Sequence, residues 1–527
     1  MDASTNTGHP RRWAILGVLV ISLLVVVLDN TVLNVAMRTI ADPERGLGAT
    51  QSELEWAINS YTLVFAGLLF TVGVLADRYG RRATLVIGLA LFGVASLVSA
   101  YAQTPDQLIW ARALMGMGGA AVLPATLSII SNVFDPRERG KAIGVWAGAV
   151  GLGVAIGPLV GGFLLENFWW GSVFLINVPI VVLGVVLVSV LVPESRDPKP
   201  GKIDILGVLL SIAGLVLLTY GVIEGGEKGF GEIEAWGTIL ASILVLTAFV
   251  LYERRIAFPS LDVKLFANRQ FSASVGAMGL VFFAAMGALF FSAFYFQLVR
   301  GYGPLASGAL MVPFAVAQLA FAPRSAAMVK RFGPKAVSTI GLLLVAIGLG
   351  GFMFVGVDTP IWIVGALFFV LGSGMANVMP PATESIMAAL PREKAGVGSA
   401  IGNTIRQVGG ALGVAVLGSV VSAVYRDRFG DAASGLPQGA REAAENSISG
   451  AYGVATQVGP SGDVLLARAN DAFIVGMHYS ALGSTIFALL GAGVVLAWLP
   501  GRRPADAPKP SSAEGLAEER VVELVDV

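Results

Sequence analysis

Long apolar runs alternate with short polar connections along almost the whole chain. A bilayer core of about 30 Å is crossed by a helix of roughly 20 apolar residues. Fourteen windows reach that length, near 13–36, 56–76, 83–101, 107–130, 142–165, 170–192, 204–223, 236–253, 272–297, 305–328, 335–356, 360–388, 396–425 and 472–499. Most are apolar all round with no alternation of period two, which predicts helices and not barrel strands. The first follows a short tail carrying Arg11 and Arg12. It resembles a signal anchor, but its length and the lack of a small-residue cleavage site predict that it stays in the mature chain.

The connections set the orientation. Lys and Arg number 24 on alternate connections counted from the N-terminus, 8 on the opposite set, and 3 inside windows: Arg112, Arg324 and Arg406. The positive-inside rule then predicts a multi-pass protein of the inner (cytoplasmic) membrane with both termini in the cytoplasm.

Composition narrows the function classes. Of 527 residues 55% are apolar and 13% charged, with a mean hydropathy of +0.76. Thirty-five basic and 35 acidic residues cancel, so no overall field draws in nucleic acid. Cysteine is absent and histidine occurs only at His9 and His478, which argues against thiolate zinc, iron–sulfur and histidine metal centres. No GxxxxGK[ST] loop is present, so ATP is not the expected energy source. Neither metal nor cofactor is expected. A membrane enzyme or sensor would need a catalytic cluster or a folded soluble domain, and neither is visible in the sequence.

The connection after the second window runs from Gly73 through Asp77, Arg78, Gly80 and Arg81 to Arg82. Its aromatic-Gly turn and basic residues recur 253 residues later around Lys330, Arg331, Gly333 and Lys335. Related loops at equivalent places suggest two duplicated six-helix bundles. The expected divisions are a cytoplasmic tail at 1–12, a bundle at 13–192 and an inserted helix pair with linkers at 193–270. A second bundle follows at 271–499, with a polar extracellular loop at about 426–471, and then a disordered cytoplasmic tail at 500–527.

Intramembrane polar residues carry the candidate chemistry, because a charge within a span is costly and must meet a partner or water. Asp29 is the sole acid of the first window, and Arg112 lies at a similar depth in the fourth, with Gly116 one turn on. Desolvation favours the neutral form of a carboxylate, so the two are candidates for proton coupling. In the fifth window Gly153, Gly157 and Gly161 recur every four residues beside Pro158 and Gly162, forming a groove for close packing. Asn34, Tyr61, Asn377, Glu384, Asn403, Arg406 and Gln407 are candidate substrate contacts, with Glu384 or substrate as the expected partner of Arg406. Among the aromatics Trp56, Tyr61, Trp146, Phe291, Tyr295 and Phe296 could line an apolar cavity, although interfacial anchoring is the commoner role. Arg324 is expected to snorkel and His478 to be structural.

The Gly73–Arg82 stretch resembles the loop signature of the major facilitator superfamily, and the Arg112 and Gly-Pro motifs resemble its helix-4 and antiporter motifs. With fourteen spans and the Asp29–Ala36 stretch, the chain is similar to the fourteen-helix drug:proton antiporters of that superfamily, from Trp13 to about Leu499. Met115 replaces the family's usual glutamine, and Met37-Arg38 its usual Leu-Pro. The resemblance implies an all-α integral membrane protein of the major facilitator fold, two six-helix bundles plus two extra helices. It implies a monomer that exports lipophilic drugs or antibiotics, cationic ones included, against protons by alternating access. Gly73, Asp77, Arg78, Gly80 and Arg81 would form the conformational latch. The alternative is export of an endogenous metabolite, siderophore or lipid.

Overall fold

The computed structural model describes residues 9–42, 45–49, 51–196, 204–227, 232–256, 259, 263–391, 395–430, 434, 436–455 and 461–499. The tail expected at 500–527 lies outside them. Fourteen long helices carry the chain: α1 (Arg12–Ala41), α2 (Gln51–Tyr79), α3 (Arg81–Ala100), α4 (Pro105–Val133), α5 (Pro136–Asn167), α6 (Asn177–Leu191) and α7 (Ile205–Glu227). They continue with α8 (Ile233–Glu253), α9 (Arg269–Phe294), α10 (Val312–Phe332), α11 (Pro334–Gly351), α12 (Ile361–Ala388), α13 (Ala395–Phe429) and α14 (Ser461–Trp498). Thirteen spans are long and apolar enough to cross a bilayer, and α2, bent by 52° between Leu69 and Thr71, makes the fourteenth. No strand occurs among the described residues.

Helix starts follow local chemistry. Thr104 and Asp135 accept from the amides of Gln107 and Arg137, with Pro105 and Pro136 at the first helical positions of α4 and α5. Between α10 and α11 the turn is Gly333, at φ 84°, where a Cβ would be strained. Gly80, at φ 126°, makes the equivalent turn between α2 and α3.

The duplication is visible in the packing. In the first half α1 packs on α5 and α6, and α4 packs on α2 and α3; in the second α9 packs on α13 and α14, and α12 on α10 and α11. Lipid tails are as apolar as leucine, so membrane helices associate through close backbone approach at small residues. A Cβ at Gly88 would lie 3.0 Å from Gly118 O, joining α3 to α4. Its equivalent at Gly341 would lie 2.9 Å from Gly374 O, joining α11 to α12. The two halves meet along two seams, α5 with α10 and α2 with α13. The inserted α7 covers the second seam, where the side chain of Val216 leaves room only for Gly67 of α2. Helix α8 packs on α7 and turns Leu240 and Leu244 outward.

The segment expected as a polar loop at 426–471 is largely helical. Helix α13 runs on to Phe429, α14 begins at Ser461, and two short helices, Gln438–Asn446 and Ile448–Ala455, lie between. The reason is its alanine and its Glu, Gln and Arg, all good helix formers. Tyr425 Oη donates to Ala444 O (2.9 Å), and Tyr452 Oη to Leu298 O (2.6 Å), which ties the segment to the second half.

Candidate transport site

Three polar arrangements lie inside this apolar frame. In the first half Arg112 of α4 forms an ion pair with Asp29 of α1, and both side chains are only 1% exposed. The pair has further partners. Asn177, at the start of α6, donates from Nδ2 to Asp29 Oδ1 (3.2 Å) and Ser96 Oγ (3.1 Å), and Ser96 donates to Phe174 O (2.9 Å). Arg112 Nε donates to Ala57 O (3.3 Å), and its guanidinium carbon lies 4.5 Å from the centre of the Tyr61 ring. A buried ion pair is tolerable only when its remaining hydrogen-bonding capacity is met, and this one is held from α1, α2, α4 and α6. Gly116 and Gly119 make room for Tyr61: a Cβ at either would sit within 2.8 Å of that tyrosine. Asn30 Nδ2 donates to Tyr61 Oη (3.1 Å).

Helix α5 positions α1 from behind. A Cβ at Gly157 would overlap Thr31 Oγ1, and one at Gly153 would lie 2.7 Å from Val27 Cγ1. The glycine stripe therefore fixes the helix that carries Asp29, two residues from Thr31. The next turn of α5 meets the second half, with Leu305 3.5 Å from a Cβ at Gly162 and Pro158 2.8 Å from one at Gly308.

The second arrangement spans the two halves on the face richest in Lys and Arg. Asp77 Oδ1 accepts from Arg81 Nε (2.9 Å) and Nη2 (2.8 Å), and from Ser128 Oγ (3.4 Å). Asp77 Oδ2 accepts from the amide of Val397 in the first turn of α13 (3.2 Å), so an acid of one half caps a helix of the other. Arg82 pairs with Glu194 (3.7 Å), whose carboxylate also accepts from the amides of Arg82 (3.1 Å) and Ala83 (3.2 Å) at the start of α3. Gly80 is buried against that carboxylate, Gly73 is buried in α2, and Arg78 lies 5.7 Å from the Tyr79 ring centre. At the α5–α10 seam Lys330 Nζ donates to Arg137 O (2.9 Å).

The third arrangement surrounds Arg406, on α13. Leu127, Trp146, Met278, Met379 and Thr383 line a small cavity with it, drawn from α4, α5, α9 and α12. Asn403 Oδ1 accepts from Arg406 Nη2 (2.7 Å), and the Trp146 and Phe282 ring centres each lie 5.6 Å from its guanidinium carbon.

Other sequence candidates fall elsewhere. Glu384 is not an ion-pair partner of Arg406; it faces Gly140 across the α5 seam, in electrostatic reach of Arg139 and Lys330. That follows from the helix ends: Glu384 lies in the last turns of α12, whereas Arg406 lies three turns into α13. Asn377 turns towards Gly341 of α11 and donates to Ser373 O (2.8 Å). Phe291, Tyr295 and Phe296 are buried in the second half against Phe352, Gly356 and Phe368, and Tyr61 is buried over Arg112, so of the six aromatics only Trp146 lines the cavity. Trp56 is exposed beside Tyr220. Gln407 is half-buried, and the side chain of Asn34 lies outside the described residues. Arg324 is exposed on α10, and His478 bonds Val355 O (2.8 Å). Reading the sequence alone missed Asn177, Ser96 and Glu194. The first carried a signal, an asparagine opening an apolar run just before Pro179; the serine and the surface glutamate carried none.

Two helical halves related by duplication, with a buried ion pair in one and a cross-half cap between them, form the frame of a membrane transporter. The family model for the Major Facilitator Superfamily matches residues 19–414, and the chain belongs to that family. It is 36% identical to the multidrug efflux pump LfrA of Mycolicibacterium smegmatis, over 93% of this chain and 97% of that one. It is 33% identical to the tetracenomycin C resistance and export protein of Streptomyces glaucescens, over 97% of each. It is 34% identical to the methyl viologen resistance protein SmvA of Salmonella typhimurium, over 92% of this chain and 98% of that one. The human organic anion transporter MFSD10 shares the fold at a TM-score of 0.59 and 15% identity, covering 91% of this chain and 100% of that structure.

Proposed function

We propose that this protein exports lipophilic drugs or antibiotics across the cytoplasmic membrane in exchange for protons. Its basic face would lie in the cytoplasm, and it would act as a monomer of the fourteen-helix drug:proton antiporter type. The resistance and export names of its relatives support the drug-export part of this reading. The observation that carries the proton part is the buried Asp29–Arg112 pair. Its carboxylate is the ionisable acid of α1, and it is met by one cation and one amide.

Coupling needs two conformations that differ in affinity for proton and drug. In the conformation described, Asp29 and Arg112 pair with each other and both are buried away from solvent. A rearrangement that draws α1 from α4 would break the pair and leave a carboxylate that accepts a proton. Asp77 on Val397 and Lys330 on Arg137 close the basic face, and these contacts must open in each cycle. The glycine stripe of α5 keeps α1 seated while α5 moves on α10.

The test is transport into inside-out vesicles under an imposed pH gradient, with a panel of dyes and antibiotics. Gradient-driven accumulation of several such compounds is expected. Accumulation of a native metabolite alone would favour the alternative substrate class, and a drug flux indifferent to the gradient would remove proton coupling.

A further inference from the structure

The cavity at Arg406 has a charge that no carboxylate among the described residues pairs with. A guanidinium carries five N–H donors and cannot deprotonate in a protein. One of them is used, on Asn403 Oδ1. The cavity wall offers no carboxylate: beside Asn403 and Arg406 it consists of apolar side chains, the hydroxyls of Thr383 and Ser399, and glycines. Among the described residues no Asp or Glu lies within 4 Å of Arg406, in contrast to Arg112 on Asp29. The aromatic faces of Trp146 and Phe282 stabilise the cation, but they accept none of its hydrogen bonds in the plane of the guanidinium.

We infer that Arg406 is the substrate-charge selector of this cavity. In the conformation described the cavity has room for about one water, roughly 10 Å³, which suits an anionic oxygen alone. The rings of a carboxylate or phenolate would enter against Trp146, Met278 and Met379 once the two bundles part there. This rests on the drug-export reading and reverses the expectation of cationic substrates drawn from the sequence. The physical reason is economy of charge. A cationic ring compound entering here would meet a like charge in a low-dielectric wall, which costs binding. An anion would supply the missing partner through charge-assisted hydrogen bonds, bidentate where the geometry allows. Trp146 comes from the first half and Arg406 from the second, so such an anion would touch both bundles and bind differently as they rock.

The test uses the purified full chain in detergent and two fluorescent probes of one shape, anthracene-2-carboxylate and 2-(aminomethyl)anthracene. The carboxylate should bind about tenfold or more tightly than the amine. Arg406→Gln should erase that preference, weakening the carboxylate and, with the like charge gone, tightening the amine, while Arg406→Lys should keep part of it. Lys guards against a misfolded Gln variant, since it retains the charge in nearly the same volume. Equal or tighter binding of the amine by the natural protein, or a Gln variant that still prefers the carboxylate, overturns the inference. The export reading fails separately: vesicles that accumulate no compound of either charge would remove it, while the titration still decides the charge preference.

Discussion

Two arginines of the helical frame, Arg112 and Arg406, are treated in opposite ways. Arg112 is 1% exposed, ion-paired to Asp29 and bonded to Ala57 O, with Tyr61 over its face. Arg406 is half-buried at a cavity, bonded to Asn403 and flanked by two aromatic rings, with no carboxylate beside it among the described residues. A charge in a membrane interior persists where it is neutralised or where it has work to do. The first site is complete in itself, so its chemistry is an internal pair that can be broken. The second is incomplete, so its chemistry waits for something from outside. On the proposed reading, one half of the molecule would hold the ion switch and the seam between halves the ligand site.

The largest expected effect comes from Asp29→Asn. It leaves Arg112 buried without its counter-charge, and breaking a buried pair from one side costs about 3–5 kcal/mol. Gradient-driven drug accumulation in vesicles should vanish while downhill drug exchange survives. A variant that still pumps with unchanged pH dependence would move the coupling site elsewhere, with Glu384 next to be tried.

Gly157→Leu should come next. It disturbs the first site through the backbone and leaves the second alone, because Gly157 packs on Thr31. Overpacking of a closed contact costs about 1–3 kcal/mol, so the protein should be made and inserted but transport should fall about tenfold or more. Its affinity for cavity ligands, read by fluorescence titration, should stay near that of the natural protein. Full transport activity would show that α1 and α5 do not need this contact.

Asp77→Asn should act less strongly, and on the exchange between conformations. Losing the charge that caps α13 removes about 1–2 kcal/mol from closure of the basic face, a five- to thirtyfold shift in that equilibrium. Transport should slow while ligand binding stays nearly intact. Equal loss of both in detergent would assign Asp77 to folding.

The smallest effect should be on stability, and it sharpens the contrast between the arginines. Arg112→Leu should lower the melting temperature, because it strands Asp29, and adding Asp29→Leu should recover most of the loss. Arg406→Leu should leave the melting temperature nearly unchanged, since it strands no charge and takes one donor from Asn403 Oδ1. A marked drop with Arg406→Leu would mean that the cation already has an internal partner.

The sequence made most of this fold legible, because the bilayer demands apolar helices and the repeat around Gly80 and Gly333 exposes the duplication. It also pointed to Asp29 and Arg112, since charges inside spans are too costly to be casual. It left open what met what. The cap of Val397 by Asp77 joins residues 320 positions apart, and only the docking of the two halves brings them together. Asn377 and Arg406 both read as intramembrane polar residues, yet helix rotation turns one towards α11 and the other into the cavity. The segment before α14 misled for a different reason: it is polar enough for a loop, but its alanines and long polar side chains favour helix.

The central claim is that Asp29 exchanges its proton for drug, and linkage gives the most direct measurement. If drug and proton favour different conformations, each must lower the affinity for the other. Adding a transported drug to purified protein in weakly buffered detergent should therefore release protons, read with a pH indicator dye. The natural protein should release them in proportion to bound drug, and Asp29→Asn, binding the same drug, should release none. Equal release from both proteins, or none from either at saturating drug, would contradict the account.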